Sequence, residues 1–358
     1  MDTLLSSYNY TLPKECIATK PIHPKEAAKL LVFNRKNCSI THSTFKDFAS
    51  FLPKNTLLVF NNTKVLPARI YGKKILQNSK KDSTQGGAKI EALFHKELDK
   101  NRYLMQFKGR LKIGSIIAFG RVYARILSQN IGIGFKEAEF FTLQENEEIP
   151  LSCNDFFTFL EHNGRIPLPP YIKRNATIAD KEDYQSVFAR HIGAIAAPTA
   201  SLHFSKESYA SLKAHFNTAE ITLHIGAGTF IGVSTENILE HKMHTESFFI
   251  PQDSATKIKD AKHITAIGTT ATRTIEAYAR SEAFKEGKAL NGECDLFLHP
   301  QNPPKATHAL LTNFHLPKTT LLMLVASFIG LEQTLSLYKE AIANNYRFYS
   351  YGDGMLIL

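Results

Sequence analysis

The chain has no tryptophan and only four cysteines among its 358 residues. Cys16, Cys38, Cys153 and Cys294 lie far apart and form no Cys-x-x-Cys pair. That spacing excludes a zinc ribbon or a disulfide-framed scaffold and fits a reducing compartment, the cytoplasm. Long hydrophobic runs are also missing. The longest, LLMLVASFIGL (321–331), has 11 residues, whereas crossing a bilayer takes about 20; it reads as a buried helix, and no membrane partner is expected. The opening MDTLLSSYNY carries no basic segment followed by an apolar core, so it is not a secretory signal. No internal repeat is present.

Acidic residues are scarce in one region. Residues 68–130 hold 14 Lys/Arg against 4 Asp/Glu, or +10, which equals the net charge of the whole chain. The next segment, 131–150, reverses the balance with one Lys and five Glu. Clustered cations gain by releasing counterions from phosphates, so this asymmetry points to a polyanionic partner or, more plainly, to a basic soluble face.

At this length the chain can form two domains, each with its own core. Residues 27–33 (AAKLLVF) and 56–60 (TLLVF) read as buried strands. From 69 to about 142, short β-prone runs alternate with glycine or charged turns, which suggests a small barrel or sandwich; QNSKKDSTQGG (77–87) reads as a long exposed hairpin tip. Helical patterns return after 152, with Ser205 as a cap for 205–216 and a helix-rich stretch over 318–345. The expected fold is a large α/β domain (1–66 and 151–358) interrupted by a small all-β, barrel-like domain (67–150).

Several stretches combine polar side chains with turn chemistry. HIGAGTF (224–230) offers His224, Gly226, Gly228 and Thr229, but the sequence after the glycine pair, including Gly232, is β-prone. A dinucleotide loop would lead into a helix there, so this is a strand-end turn, either plain or lining a nucleoside pocket. GRIPLPPYIKR (164–174) is a proline-stiffened loop with Arg165 and Tyr171. In GAIAAPTASLHF, small residues beside Thr199, Ser201 and His203 permit close backbone approach by a ligand or by another strand. In HKMHTESFFI, His244 and Glu246 share one strand face next to His241; the spacing lacks the distant partner of a zinc site. AIGTTATRTIEA places Thr269 and Thr270 before a helix bearing Arg273, where hydroxyls and exposed N–H groups suit an anion or simply cap the helix. LLTNFHLPKTT sets Asn313 and His315 just ahead of a buried helix.

Taken together, AAPTASLHF, HIGAGTF, HKMHTES, AIGTTATRT, TNFHLPKTTLLMLV and YRFYSYGDGMLI resemble the S-adenosylmethionine:tRNA ribosyltransferase-isomerases of queuosine biosynthesis. The resemblance runs from YTLPKECIATKP (10–21) to the last residue, with departures at Lys25, Lys29, Ser201 and the 297–306 loop. It implies a transferase and isomerase that moves the ribosyl part of S-adenosylmethionine onto the 7-aminomethyl-7-deazaguanine at the tRNA wobble position, giving epoxyqueuosine and releasing adenine and methionine. S-Adenosylmethionine would be consumed as a substrate, with no cofactor and no metal. The resemblance also implies an α/β domain with an inserted barrel.

Chemistry then asks for groups to take a C5′ proton from the sulfonium-activated ribose and to protonate the departing adenine. His203, His224, His244, Glu246, His315 and Asp353 are the candidates. Thr199, Gly226, Gly228, Thr229, Thr269, Thr270, Arg273 and Asn313 are expected to bind the sulfonium substrate, with Arg273 on its carboxylate. Lys64, Arg69, Arg165, Tyr184 and Gln185 are expected to meet tRNA. A monomer without an obligate protein partner is expected. A non-catalytic RNA-binding protein and an S-adenosylmethionine-dependent RNA methyltransferase are the rival readings.

Overall fold

The structure is a computed structural model that describes residues 3–75, 87–99, 101–128, 134–226, 228 and 232–358. The expected hairpin tip therefore lies outside the described residues, except for Gly87. The chain divides into two compact units, one of Met1–Lys64, Pro169–Lys173 and Glu182–Leu358, the other of Val65–Leu168 and Arg174–Lys181.

The first unit is built on a mixed sheet which, among the described residues, has nine strands. Its centre is parallel: Asn217–Leu223, Leu57–Asn61, Ile264–Ile267 and Ala309–Asn313 lie side by side in that order. The last three are buried along their whole length, as LLVFN, ITAI and ALLTN predict for strands covered on both faces. Antiparallel strands flank them. Glu246–Ile250 and Leu290–Cys294 extend one side, and Gly354–Ile357 pairs with Ala309–Asn313 on the other. The outermost strand, Ser39–Thr44, is polar and exposed, which discourages further pairing at that edge.

Helices cover the sheet. Helix Lys206–His215 begins in a capping box of Ser205 and Ser208. Helix Thr320–Ile329 buries Leu322 to Phe328 without a break, and each large apolar side chain there contributes about 1.5–3 kcal/mol. Gly330, at φ +79°, ends it, and helix Leu331–Ala343 departs at 110°. The apolar run is thus a core helix. Among the described residues, no single helix is long and apolar enough to cross a membrane.

The second unit is a six-stranded antiparallel barrel, closed where Phe135–Gln144 pairs with Val122–Ile126 and carrying Glu147–Pro150 as an appended strand. Burial alternates along Lys89–Asp99 and Val122–Ile126, the period-2 pattern of a strand with one face on a core. The unit extends beyond the expected boundary at residue 150. Helix Cys153–Asn163 places Phe156, Phe159 and Leu160 in the barrel core, and Phe156 stacks on Tyr103 at 3.9 Å. The apolar stripe at i, i+3 and i+4 has its partners inside the barrel, so the helix belongs to that unit.

Candidate active site

The polar stretches converge because the four parallel strands point the same way. Their C-terminal ends deliver Ile225 and Gly226, Asn61 and Asn62, Gly268 to Thr270, and Asn313 to His315 to one edge of the sheet, where open α/β sheets commonly bind ligands. A cavity of about 80 Å³ opens there, lined by Thr199, Glu246, Thr269, Thr270, Arg273, Asn313 and His315, with Tyr184, Tyr349 and Ser350.

One wall is the start of helix Thr269–Ala279. Gly268 precedes it at φ +96°, ψ 159°, and no side chain caps the helix. The first N–H groups of a helix have no intrahelical acceptor and carry partial positive charge. Here they belong to a turn lining the cavity, beside the Thr269 and Thr270 hydroxyls. Asn61, fully buried, fixes that turn: its amide donates to Thr270 Oγ1 and to the Leu223 carbonyl, and its oxygen accepts from the Leu223 N–H.

Arg273 and Glu246 form a buried ion pair. Arg273 also donates to the carbonyls of Leu296 (3.1 Å) and Cys294 (3.2 Å). Glu246 accepts from the Gly226 N–H (3.0 Å), and His244 Nε2 lies 3.3 Å from the same carboxylate oxygen. Burial by itself would raise the Glu246 carboxyl, but His244, the Arg273 guanidinium and the Gly226 N–H together hold it below the usual carboxylate range. Two residues expected to have separate roles, an acid–base group and a carboxylate clamp, are thus bonded to each other. His244 lies on a smaller adjoining cavity that shares Arg273 and Leu321. Gly228 is needed beside it, since a Cβ there would overlap the His244 ring. Among the described residues, no third metal ligand joins His244 and Glu246.

Asn313 organises the opposite wall. Its oxygen accepts from Thr199 Oγ1 (2.8 Å), while its amide nitrogen faces the carbonyls of Gly352 and Asp353 and His203 Nε2. Two carbonyl acceptors fix which end of the amide is nitrogen, so His203 Nε2 is an acceptor and its proton sits on Nδ1. Burial, aided by Arg347 and Lys25, pushes the His203 pKa down to about 3. Its ring stacks on Phe45 at 4.0 Å, behind the cavity rather than in its lining. His315 does line the cavity, with Nε2 2.8 Å from Thr312 Oγ1 and burial lowering its pKa to about 3.

The remaining candidates are dispersed. His224 bonds Thr63 Oγ1 through Nδ1, its pKa lowered by burial and by His191. The Asp353 carboxylate is occupied by the N–H groups of Lys29 and Arg347, and burial raises its pKa. Thr229 lies outside the described residues. Tyr184, expected on tRNA, is buried and lines the cavity instead, its ring edge-on to Tyr351. Gln185 follows it, half-buried. Lys64 belongs to the first unit, while Arg69 and Arg165 belong to the second and pair through their backbones.

The expected set lacks several contributors, among them Asn61, Gly268, Thr312, Tyr349 and Ser350. Tyr349 adopts φ +75°, a strained value for a residue with a side chain. The Ser350 N–H donates to the Tyr171 hydroxyl, and the Tyr171 ring packs edge-on against Tyr349 at 4.1 Å. The run Tyr349-Ser350-Tyr351-Gly352 ahead of a short strand was the available signal.

Comparison with known proteins adds three findings. The sequence profile of the family described as queuosine biosynthesis protein matches residues 5–357. S-Adenosylmethionine:tRNA ribosyltransferase-isomerase of Campylobacter jejuni (strain 81-176) is 49% identical over 360 residues, covering 100% of this chain and 99% of its own. The protein of the same name from Helicobacter pylori (strain HPAG1) is 47% identical over 354 residues, covering 99% of both. A crystal structure of S-adenosylmethionine tRNA ribosyltransferase from Thermotoga maritima, 29% identical, superimposes with a TM-score of 0.53 over 99% of this chain and 100% of that one.

Proposed function

Because the chain belongs to the queuosine biosynthesis protein family, we propose that the cavity at the C-terminal ends of its parallel strands is where S-adenosylmethionine is bound and consumed. The protein is an S-adenosylmethionine:tRNA ribosyltransferase-isomerase. It transfers and isomerises the ribosyl moiety onto the 7-aminomethyl-7-deazaguanine at the tRNA wobble position, giving epoxyqueuosine-tRNA and releasing adenine and methionine. The relatives give no support to a non-catalytic RNA-binding protein or a methyltransferase.

One observation carries the placement: an uncapped helix start, two threonine hydroxyls and a neutral histidine face one cavity. The first turn of helix Thr269–Ala279 holds the methionine carboxylate, because N–H groups and the helix dipole favour a negative group there. Arg273 sits one turn further in with three of its donors engaged, so it sets the shape and positive potential of the pocket through Glu246 instead of clamping the carboxylate alone. Tyr184 and Tyr349 supply aromatic surface near the sulfonium and adenine.

Proton transfer falls to His315. It is the candidate histidine that lines the cavity among the described residues, and this position suits it to the C5′ proton that the sulfonium acidifies; burial lowers its pKa, which makes it a weak base in the absence of the cationic substrate. His203 and Asn313 position Thr199 in the same lining. S-Adenosylmethionine is used up in each turnover, no recycled cofactor takes part, and the reaction takes place in the cytoplasm.

The test is direct. Purified protein incubated with substrate tRNA and S-adenosylmethionine releases adenine and methionine in equal amounts, and His315→Ala abolishes release while tRNA still binds. Formation of S-adenosylhomocysteine, or full turnover by the variant, overturns the corresponding part of the reading.

A further inference from the structure

The barrel carries a second concave feature, separate from the cavity above and wholly within its own unit. A cleft of about 640 Å³ is lined by Tyr71, Gly72, Lys73, Lys89, Arg165 and Asn175, among others. Its volume lies in the range of sites for small molecules or single nucleotides.

The strand register explains its chemistry. Side chains alternate along Arg69–Lys74, so Ile70 enters the core while Tyr71 and Lys73 face outward. In the antiparallel ladder with Lys89–Asp99, Lys73 is directly opposite Lys89. Like charges placed opposite one another on a sheet are destabilising. Among the described residues neither lysine has a carboxylate partner; the nearby Glu91 is already paired with Arg69 and Lys108. Tyr71 is 47% exposed, and the Arg165 guanidinium lies over its ring at 5.4 Å. An aromatic face stiffened by an arginine, next to an unneutralised lysine pair, combines a stacking surface with an anion site. An unpaired nucleotide offers both matching parts, a base and a phosphate.

We propose that this cleft is a nucleotide-stacking subsite, in which an unpaired base of the bound RNA stacks on Tyr71 and its phosphates are held by Lys73, Lys89 and Arg165. The proposal rests on the reading of the protein as a tRNA-modifying enzyme and specifies which barrel residues grip the RNA. Arg165 therefore acts twice in RNA binding, stiffening the Tyr71 ring and adding a donor for the phosphate. Gly72 belongs to the construction as well. A Cβ at that position would overlap the Ala118 carbonyl and the Phe119 ring, so the strand can approach its neighbour this closely only with glycine.

The experiment measures binding of the full-length protein to an anticodon stem–loop carrying the aminomethylated wobble base, and to a blunt RNA duplex without unpaired nucleotides. Tyr71→Ala and Tyr71→Leu are expected to weaken stem–loop binding about ten-fold, while Tyr71→Phe binds like wild type and duplex binding stays the same in all three. The KM for S-adenosylmethionine is unchanged. Leucine retains apolar bulk at this half-exposed position, so its loss of affinity reports the ring and not folding. Stem–loop binding within two-fold of wild type for both Ala and Leu variants, or an equal loss on duplex, overturns the proposal. Failure of the activity itself would appear elsewhere, as wild-type protein that binds the stem–loop yet releases no adenine.

Discussion

Arg273 donates to the Glu246 carboxylate with both side chains shut off from solvent, which ties helix Thr269–Ala279 to the first residue of strand Glu246–Ile250 beside the cavity. Removing one member of a buried pair leaves an uncompensated charge, at a cost of about 3–5 kcal/mol. Arg273→Ala should therefore lower the unfolding free energy by that order and raise the KM for S-adenosylmethionine, with tRNA affinity nearly intact. Urea unfolding and steady-state kinetics measure the two effects. Unchanged stability would show that the pair is not closed in solution.

The same pair predicts an acid limb. The Glu246 pKa is held below its ordinary 4.5, so the stability it contributes is complete above that value and is lost as pH falls through the lower folded pKa. Glu246→Gln keeps an acceptor for Gly226 but has no charge to titrate. Its unfolding free energy should be lower at pH 7 and should fall less steeply than that of wild type below pH 4.5. Parallel acid limbs would contradict the assignment.

His203 works in the opposite sense to a paired, protonated histidine. Its folded pKa is about 3 against an ordinary 6.5, so below 6.5 the unfolded chain takes up a proton that the folded chain does not. Stability then falls on acidification across that window, by about 1.4 kcal/mol per pH unit. His203→Gln retains an acceptor for Asn313 and should reduce the slope between pH 6.5 and about 4 by that one-proton share, leaving the equal share of His315 in place. A variant with the wild-type slope would mean that His203 is protonated in the folded protein.

Sequence made the architecture legible because burial leaves a strong periodic trace. Strands such as LLVFN and ALLTN, and the alternation through the barrel, follow directly from residue type. The barrel's outer limit was less visible. Helix Cys153–Asn163 looks like any amphipathic helix, and only tertiary contact reveals that Phe156 packs on Tyr103. The site divides along similar lines. Thr269, Thr270, Asn313 and His315 sit at strand ends carrying evident turn chemistry, and they meet in the cavity. Pairing between distant segments has no local signature, so the Arg273–Glu246 bond, the capture of Asp353 by Lys29 and Arg347, and the clasp of Asn61 on Thr270 emerge only in three dimensions.

Gly268 tests the helix start without touching a charged group. At φ +96°, ψ 159° it occupies a region essentially reserved for glycine, where a side chain costs about 1–3 kcal/mol. A Cβ there would lie 3.6 Å from Ala200, an ordinary contact, so the penalty comes from the backbone. Gly268→Ala should lower the unfolding free energy by that amount and, by turning the Thr269–Thr270 N–H groups, raise the KM for S-adenosylmethionine. Methionine analogues without a carboxylate should show little difference between variant and wild type. An equal loss for both ligands would move the carboxylate away from the helix.

Salt dependence separates cations that meet RNA from those that hold the barrel together. Arg69, Arg102, Lys108 and Arg125 all form ion pairs with carboxylates of the same unit. Lys73, Lys89, Lys112 and Arg121 are exposed and, among the described residues, have no carboxylate partner. A cation already neutralised by a neighbour displaces few counterions when it approaches a phosphate, whereas an unpaired one contributes a slope of about 0.7 to 0.9 in log K against log salt. Changing the second set to glutamine should flatten the salt dependence of tRNA binding by roughly three to four units and leave thermal stability close to wild type, since exposed cations without partners contribute little to folding. Arg125→Gln, which breaks bonds to Glu139 and Glu148, should do the reverse: a small loss of stability and an almost unchanged slope. If both sets flattened the slope equally, binding would follow net charge alone, and the face carrying Lys73 and Lys89 would have no special part in it.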